Sequence, residues 1–229
     1  MNAGSPAILS IAYDSEALKG YETGWGFSAV IKTRDQNILF DCGWDGHLLR
    51  RNLGRLGYSL ADFGTVVLSH SHWDHMGGLS EVLQDAPMDR SLVVMLHEGF
   101  SENLRNEIRK KAEVVLVSRA QEIASGIWST GMLGKDTKEQ ALVVQTGSRI
   151  AVITGCAHPG IHSILEAASQ LGSPVCLIGG FHAAPANEFP RQLEQLVICH
   201  CTRMKQELLR DFARKASVGL VGASYELLP

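Results

Sequence analysis

The chain has 229 residues, of which 45% are hydrophobic, and a formal charge of −3. That length and apolar share suit a single domain spanning 1–229 with a full core. Balanced charge without a long like-signed run argues against a nucleic-acid groove or a charged membrane patch, and no apolar stretch reaches the roughly 20 residues of a membrane span. The partner expected is a small-molecule substrate, with no nucleic acid and no membrane. The start of the chain lacks a basic segment followed by an apolar one, so it does not read as a signal peptide. Five cysteines form no Cys-x-x-Cys pair and mostly sit inside apolar runs, as reduced, buried thiols of a cytoplasmic protein do. Nothing in the sequence speaks to oligomeric state.

In chain order, apolar and β-branched runs predict strands over 7–13, 27–32, 37–40, 65–68, 92–96 and 114–117. Further strands follow over 141–145, 149–154, 175–178 and 196–199. Helical periodicity falls between them, over 46–56, 79–84, 99–111, 161–171, 189–196 and 202–215. Gly126, Gly131 and Gly134 mark turns inside 99–140, a segment read as a surface excursion, with a lid as the alternative. Clustered strands followed by strands separated by helices predict an α/β sandwich of two mixed sheets with helices outside. Strand ends would then meet along one edge, where loops carry chemistry.

The densest chemistry lies in Ser69-His70-Ser71-His72-Trp73-Asp74-His75-Met76-Gly77-Gly78. Alternation along a strand lets His70 and His72 point the same way as the chain leaves the run 65–68. Asp74 and His75 follow on the turn and face a second nearby point. Neutral imidazole and carboxylate suit Zn²⁺, Fe²⁺ or Mn²⁺, so the spacing proposes two adjacent metals served from one loop. Gly77 and Gly78 are expected to let the backbone turn sharply. Residues far away must complete such a site. His158 stands at a strand-to-helix corner shaped by Pro159 and Gly160, with helix capping as its competing role. His200 closes the apolar run 196–199, and His182 has a similar placement, with ligand and non-ligand roles equally weighted. His47, His97 and His162 read as structural or exposed. Cys156 and Cys201 each lie close to one of these histidines in sequence, which keeps a thiolate ligand open.

Together these residues resemble the metallo-β-lactamase superfamily, whose His-x-His-x-Asp-His pattern stands here as His70, His72, Asp74 and His75. The run Ile38-Leu39-Phe40-Asp41-Cys42-Gly43 resembles the family's second-strand signature. Asp14, the run 154–161, Gly179-Gly180-Phe181-His182 and His200-Cys201-Thr202 narrow the resemblance to the 7,8-dihydropterin-6-methyl-4-(β-D-ribofuranosyl)aminobenzene-5′-phosphate synthase-like branch. The resemblance implies a four-layer αββα sandwich and two divalent metal ions, zinc first, with manganese or iron as alternatives. It implies His70, His72 and His158 at one metal, and Asp74, His75 and His200, joined by His182, at the other. Asp74 would be catalytic, orienting a water and accepting its proton. The implied activity is that of a metal-dependent hydrolase on a phosphorylated or ester-like small molecule, or of a dihydropterin-type synthase in which the metals bind a pyrophosphate leaving group.

Two departures stand out. The superfamily's bridging aspartate is missing where the chain reads Gly179-Gly180-Phe181-His182, and Arg203 replaces a glycine usual in the branch. Asp41 is expected to orient a ligand histidine or hold a turn. Asp14, Trp73 and Phe181 are the substrate-contact candidates, with Trp25 and Phe27 as further aromatic neighbours. Lys19, Lys135 and Arg203 are candidate phosphate contacts. The alternative functions are a metal-bound sensing or binding module with little turnover and a mono-iron persulfide dioxygenase-like oxidoreductase. β-Lactam hydrolysis is not expected.

Overall fold

A computed structural model describes residues 7–86 and 91–228. The first half of the chain supplies strands β1 (Ala7–Tyr13), β2 (Ser28–Lys32), β3 (Asn37–Phe40), β4 (Thr65–Val67), β5 (Val93–Leu96) and β6 (Glu113–Leu116). The second half supplies β7 (Gln121–Ala124), β8 (Ile127–Ser129), β9 (Leu142–Thr146), β10 (Arg149–Thr154), β11 (Ser173–Gly179), β12 (Gln195–Ile198), β13 (Ala216–Val218) and β14 (Ser224–Leu227). They form two mixed seven-stranded sheets, ordered β14-β1-β2-β3-β4-β5-β6 and β13-β12-β11-β10-β9-β8-β7.

Alternation along the central strands explains why they read as nearly continuous apolar runs. In β2 and β3, Ala29, Ile31, Ile38 and Phe40 face the space between the sheets, where they share one core with Leu142, Ala151, Ile153, Ile178 and Val197 of the second sheet. Their neighbours Val30 and Leu39 belong to a separate outer core. That outer core is closed by helices α1 (Gly46–Arg55), α3 (Leu79–Gln84) and α4 (Glu102–Arg109), through Leu49, Leu53, Leu79, Val82 and Ile108. On the far side, α5 (Ile161–Ala168) and α6 (Lys205–Asp211) cover Val143, Ile150, Val152, Leu177 and Ile198 with Ile161, Ile164, Leu165 and Leu208. The result is the expected four-layer αββα sandwich. A short helix α2 (Trp73–Met76) carries part of the histidine motif. No helix among the described residues is long and apolar enough to cross a membrane.

Several elements differ from the sequence reading. The helix expected over 189–196 is absent. Phe189 precedes Pro190 and is extended, at φ −85° and ψ 131°, because a residue before proline is pushed out of the α region. Phe189 and Leu193 instead pack into the core beneath α5 and α6, and β12 begins at Gln195. The segment 99–140 is mostly framework. After α4 and β6 the chain crosses to the second sheet and forms the β7–β8 hairpin, turning at Gly126 (φ 71°). The short strands β7, β8, β13 and β14 had no legible alternation.

Topology places the site. β3 and β4 run parallel, as do β10, β11 and β12, and β1 shares the direction of β3 through two antiparallel pairings. Asp14, Asp41, the 69–75 loop, Cys156, His158, His182 and His200 all follow the C-terminal ends of these strands and collect at one edge.

Candidate metal centre

The motif spans a strand end and, in place of the expected turn, a short helix. His70 and His72 lie on the extended segment after β4, and Asp74 and His75 on α2, which starts after His72 (φ −72°, ψ 147°). The His70 and His72 rings are 4.7 Å apart, and each approaches His158, at 4.7 Å and 4.6 Å between centroids. His158 Nε2 lies 3.1 Å from His72 Nδ1. A second group forms beside it. His75 Nε2 and His200 Nε2 are 3.2 Å apart, and Asp74 Oδ2 stands 3.7 Å from the first and 3.8 Å from the second. The His70 and His75 rings, 4.2 Å apart, join the two groups.

One buried carboxylate orients both. Asp41 sits at φ 57° with its side chain fully enclosed. Its Oδ1 accepts from the Ser69 amide at 2.7 Å, and its Oδ2 accepts from Ser69 Oγ at 2.6 Å. Oδ2 also pairs with His75 Nδ1 at 2.7 Å. Because Ser69 Oγ spends its proton on Asp41, its oxygen can only accept from His70 Nδ1, 2.9 Å away. The network therefore assigns the Nδ1–H tautomer to both histidines and leaves their Nε2 lone pairs for the site. Burial holds the Asp41 carboxyl well above the usual carboxylate range, against the lowering effect of the two Ser69 bonds. Burial, then neighbouring imidazoles, hold His70 well below the usual histidine range, and His158 is lowered to about 4 by burial and then by His182, His72 and His75. Burial also lowers His75 to about 4 and depresses His200. Neutral imidazoles are the form a metal binds.

The donor set fits a metal on an independent observation. His70 Nε2 is wholly buried and has no hydrogen-bond partner, a costly state for a polar atom unless an ion meets it. Among the described residues, three groups of ligand atoms converge to within 4.8 Å: His70, Cys156 and His158; His75, Cys156 and His200; and Cys156, His182 and Cys201.

The family model described as the metallo-beta-lactamase superfamily matches residues 24–170. The chain belongs to this superfamily. It is 26% identical over 235 residues to the protein MJ0448 of Methanocaldococcus jannaschii, covering 86% of this chain and 91% of that one. It is 22% identical over 285 residues to the 7,8-dihydropterin-6-methyl-4-(beta-D-ribofuranosyl)-aminobenzene-5′-phosphate synthase of the same organism, covering 93% and 96%. The crystal structure of Tm1679, a metal-dependent hydrolase of the β-lactamase superfamily, superposes with a TM-score of 0.78 at 24% identity, over 96% of this chain and 98% of that one. Members of the superfamily typically bind divalent metals.

Against the superfamily pattern, His182 takes an unexpected place. It is held at φ 46° with its ring 4.4 Å from His158, and its ligand nitrogen lies within 4.8 Å of the Cys156 and Cys201 sulfurs. The substrate-contact candidates separate. Trp73 is exposed, as is Trp25, which meets His200 edge-on at 5.6 Å. Phe27 is buried, stacked on His200 at 6.1 Å. Phe181 does not reach the pocket: its ring is fully enclosed in the core beneath α5 and α6, 5.2 Å from Phe189, because the chain leaving β11 turns that side chain under the sheet. Asp14 lies buried behind His200, with Oδ2 accepting from the His200 amide at 3.2 Å and Oδ1 from the Ser15 amide at 2.7 Å. That is the turn-holding geometry, and burial pushes its carboxyl to about 7. Lys135 lines a cavity of about 610 Å³ together with Thr137, His158 and Ser163.

Sequence reasoning missed Glu139. Fully buried, it accepts from the amides of Gly155, Cys156 and Ala157 at 3.0 Å each and of His158 at 2.9 Å. Burial pushes it to about 7 against the bonds from His158, Cys156 and Ala157. Its partners lie 16–19 residues away, so no local pattern could mark it.

Proposed function

We propose that the protein is a metal-dependent hydrolase with a binuclear centre, acting on a phosphorylated or ester-like small molecule. The observation carrying this reading is the pair of adjoining imidazole groups with Asp74 Oδ2 beside the second. In this reading His70, His72 and His158 hold one divalent ion, zinc by preference, and Asp74, His75 and His200 the other. Such ions supply Lewis acidity and a water activated near neutral pH. Asp74, about 16% exposed, would orient the attacking water and take its proton. Lys135, in the cavity beside His158, would meet a phosphate, and Trp25 and Trp73 would flank a flat substrate. A cytoplasmic setting agrees with five free cysteines.

The near full-length likeness to the dihydropterin-type synthase supports a second reading, in which the same residues bind a pyrophosphate leaving group. The test is turnover by protein of measured metal content on phosphomonoester, phosphodiester, ester and lactone substrates. A separate assay follows pyrophosphate release from a phosphoribosyl diphosphate donor. We expect hydrolysis in the first set, and a kcat loss of about 100-fold or more in Asp74→Asn with substrate affinity retained. Pyrophosphate release alone would favour the synthase. No turnover of any kind by protein holding two metals would overturn the enzyme reading in favour of a binding module.

A further inference from the structure

Cys156 stands inside the histidine groups. Its Sγ is 3.1 Å from His75 Nε2 and 3.5 Å from His200 Nε2. The same sulfur closes to within 4.8 Å of the ligand atoms of His70 and His158. Among the described residues, each of the three convergent groups contains Cys156, and none contains a carboxylate. The buried, unpartnered His70 Nε2 belongs to one of them.

The backbone presents this sulfur rigidly. Four consecutive amides, from Gly155 to His158, are tied to Glu139, and Ala157 is held at φ 57°. Neither Gly180 nor Phe181, the two residues that follow β11, offers a competing ligand. A Cβ on Gly180 would fall 2.5 Å from Cys201 Sγ and 3.1 Å from His200 Cε1, and the next residue, Phe181, is turned into the core beneath α5 and α6.

We propose that Cys156 is a thiolate ligand shared by the two metal positions, making this a sulfur-bridged centre. The proposal rests on the binuclear reading above and names the ligand between its metals. On binding, the thiol releases its proton to solvent, and the thiolate donates to both ions. A shared thiolate biases the site toward zinc and cobalt over the harder manganese and magnesium.

X-ray absorption on zinc-loaded protein, with zinc counted by elemental mass spectrometry, tests this. At two zincs per chain we expect a sulfur shell at about 2.3 Å amounting to about one sulfur per zinc, besides nitrogen and oxygen at about 2.0–2.1 Å. Cobalt-loaded protein should show thiolate-to-cobalt charge-transfer absorption. Both signals should vanish in Cys156→Ser and persist in Cys201→Ser. Two zincs without a sulfur shell would overturn the thiolate and leave the binuclear reading standing. Half that sulfur would overturn the sharing, and signals lost with Cys201 instead would overturn the assignment. Failure to bind metal would overturn both readings. The wild-type spectrum decides even if Cys156→Ser does not fold.

Discussion

Asp41 shows how much one buried side chain can set. Through Ser69 and His75 it determines which nitrogen of two histidines is free for a metal. Asp41→Asn keeps the volume but brings an amide that donates where the carboxylate accepted. We expect it to lower metal affinity by about 10–100-fold, measured by competition with a chromogenic chelator. His97 tests burial alone. It is almost fully enclosed, its Nδ1 accepts from the Gly99 amide at 3.1 Å, and burial lowers it from 6.5 to about 4. The fold accepts the neutral ring, so the stability tied to it is complete above about 6.5 and drains as pH falls toward 4. Urea unfolding of metal-free protein should show the advantage of wild type over His97→Phe shrinking by about 2–3 kcal/mol between roughly pH 7 and 4.5. A pH-independent difference would mean that the ring is freely protonated in the fold.

At the scale of elements, the glycine pair after α2 has a role other than the one expected. Gly77 (φ −58°, ψ −39°) and Gly78 (φ −71°, ψ −7°) have ordinary helical dihedrals, so no sharp turn calls for them. They are required by close approach. A Cβ on Gly78 would fall 2.2 Å from Cys42 O, and one on Gly77 2.4 Å from Trp44 O. The glycines let the end of α2 lie against the loop after β3, which aligns His75 with Asp41. Gly78→Ala should therefore destabilise the protein by about 1–3 kcal/mol and weaken metal binding as well, read by thermal unfolding with and without zinc. An alanine variant as stable and as metal-avid as wild type would show that the approach is loose. The spacing of the 69–75 motif was legible because ligand geometry imposes it locally. The reason for the glycines was not, since it depends on backbone supplied by residues 42–44.

Across the whole molecule, the two histidine groups draw on both sheets. His70, His72 and His75 follow β4 of the first, while His158 and His200 follow β10 and β12 of the second. Bound ions would therefore tie the two halves of the sandwich together. Binding to the native state alone contributes about 4 kcal/mol per site when free metal exceeds Kd by 1,000-fold. For a chain of this size that corresponds to roughly 8–16 °C in Tm. Chelator dialysis should lower Tm by this order, and zinc should restore it. An unchanged Tm would mean that the histidines are held by the sandwich alone.

What the sequence determined by itself were the features written in local period or spacing. These are the alternating strands that face two cores at once, the amphipathic helices, and the His-x-His-x-Asp-His loop with its strand-end position. It also marked His158 and His200 as strand-end histidines. Tertiary structure alone decided which groups meet. It placed His182 beside His158, turned Phe181 into the core beneath α5 and α6, put Glu139 under four amides and brought Cys156 between the histidines. The physical reason is common to all four. Each depends on parallel strands from distant parts of the chain ending at one edge, and their register is set by packing on both faces of the sheets.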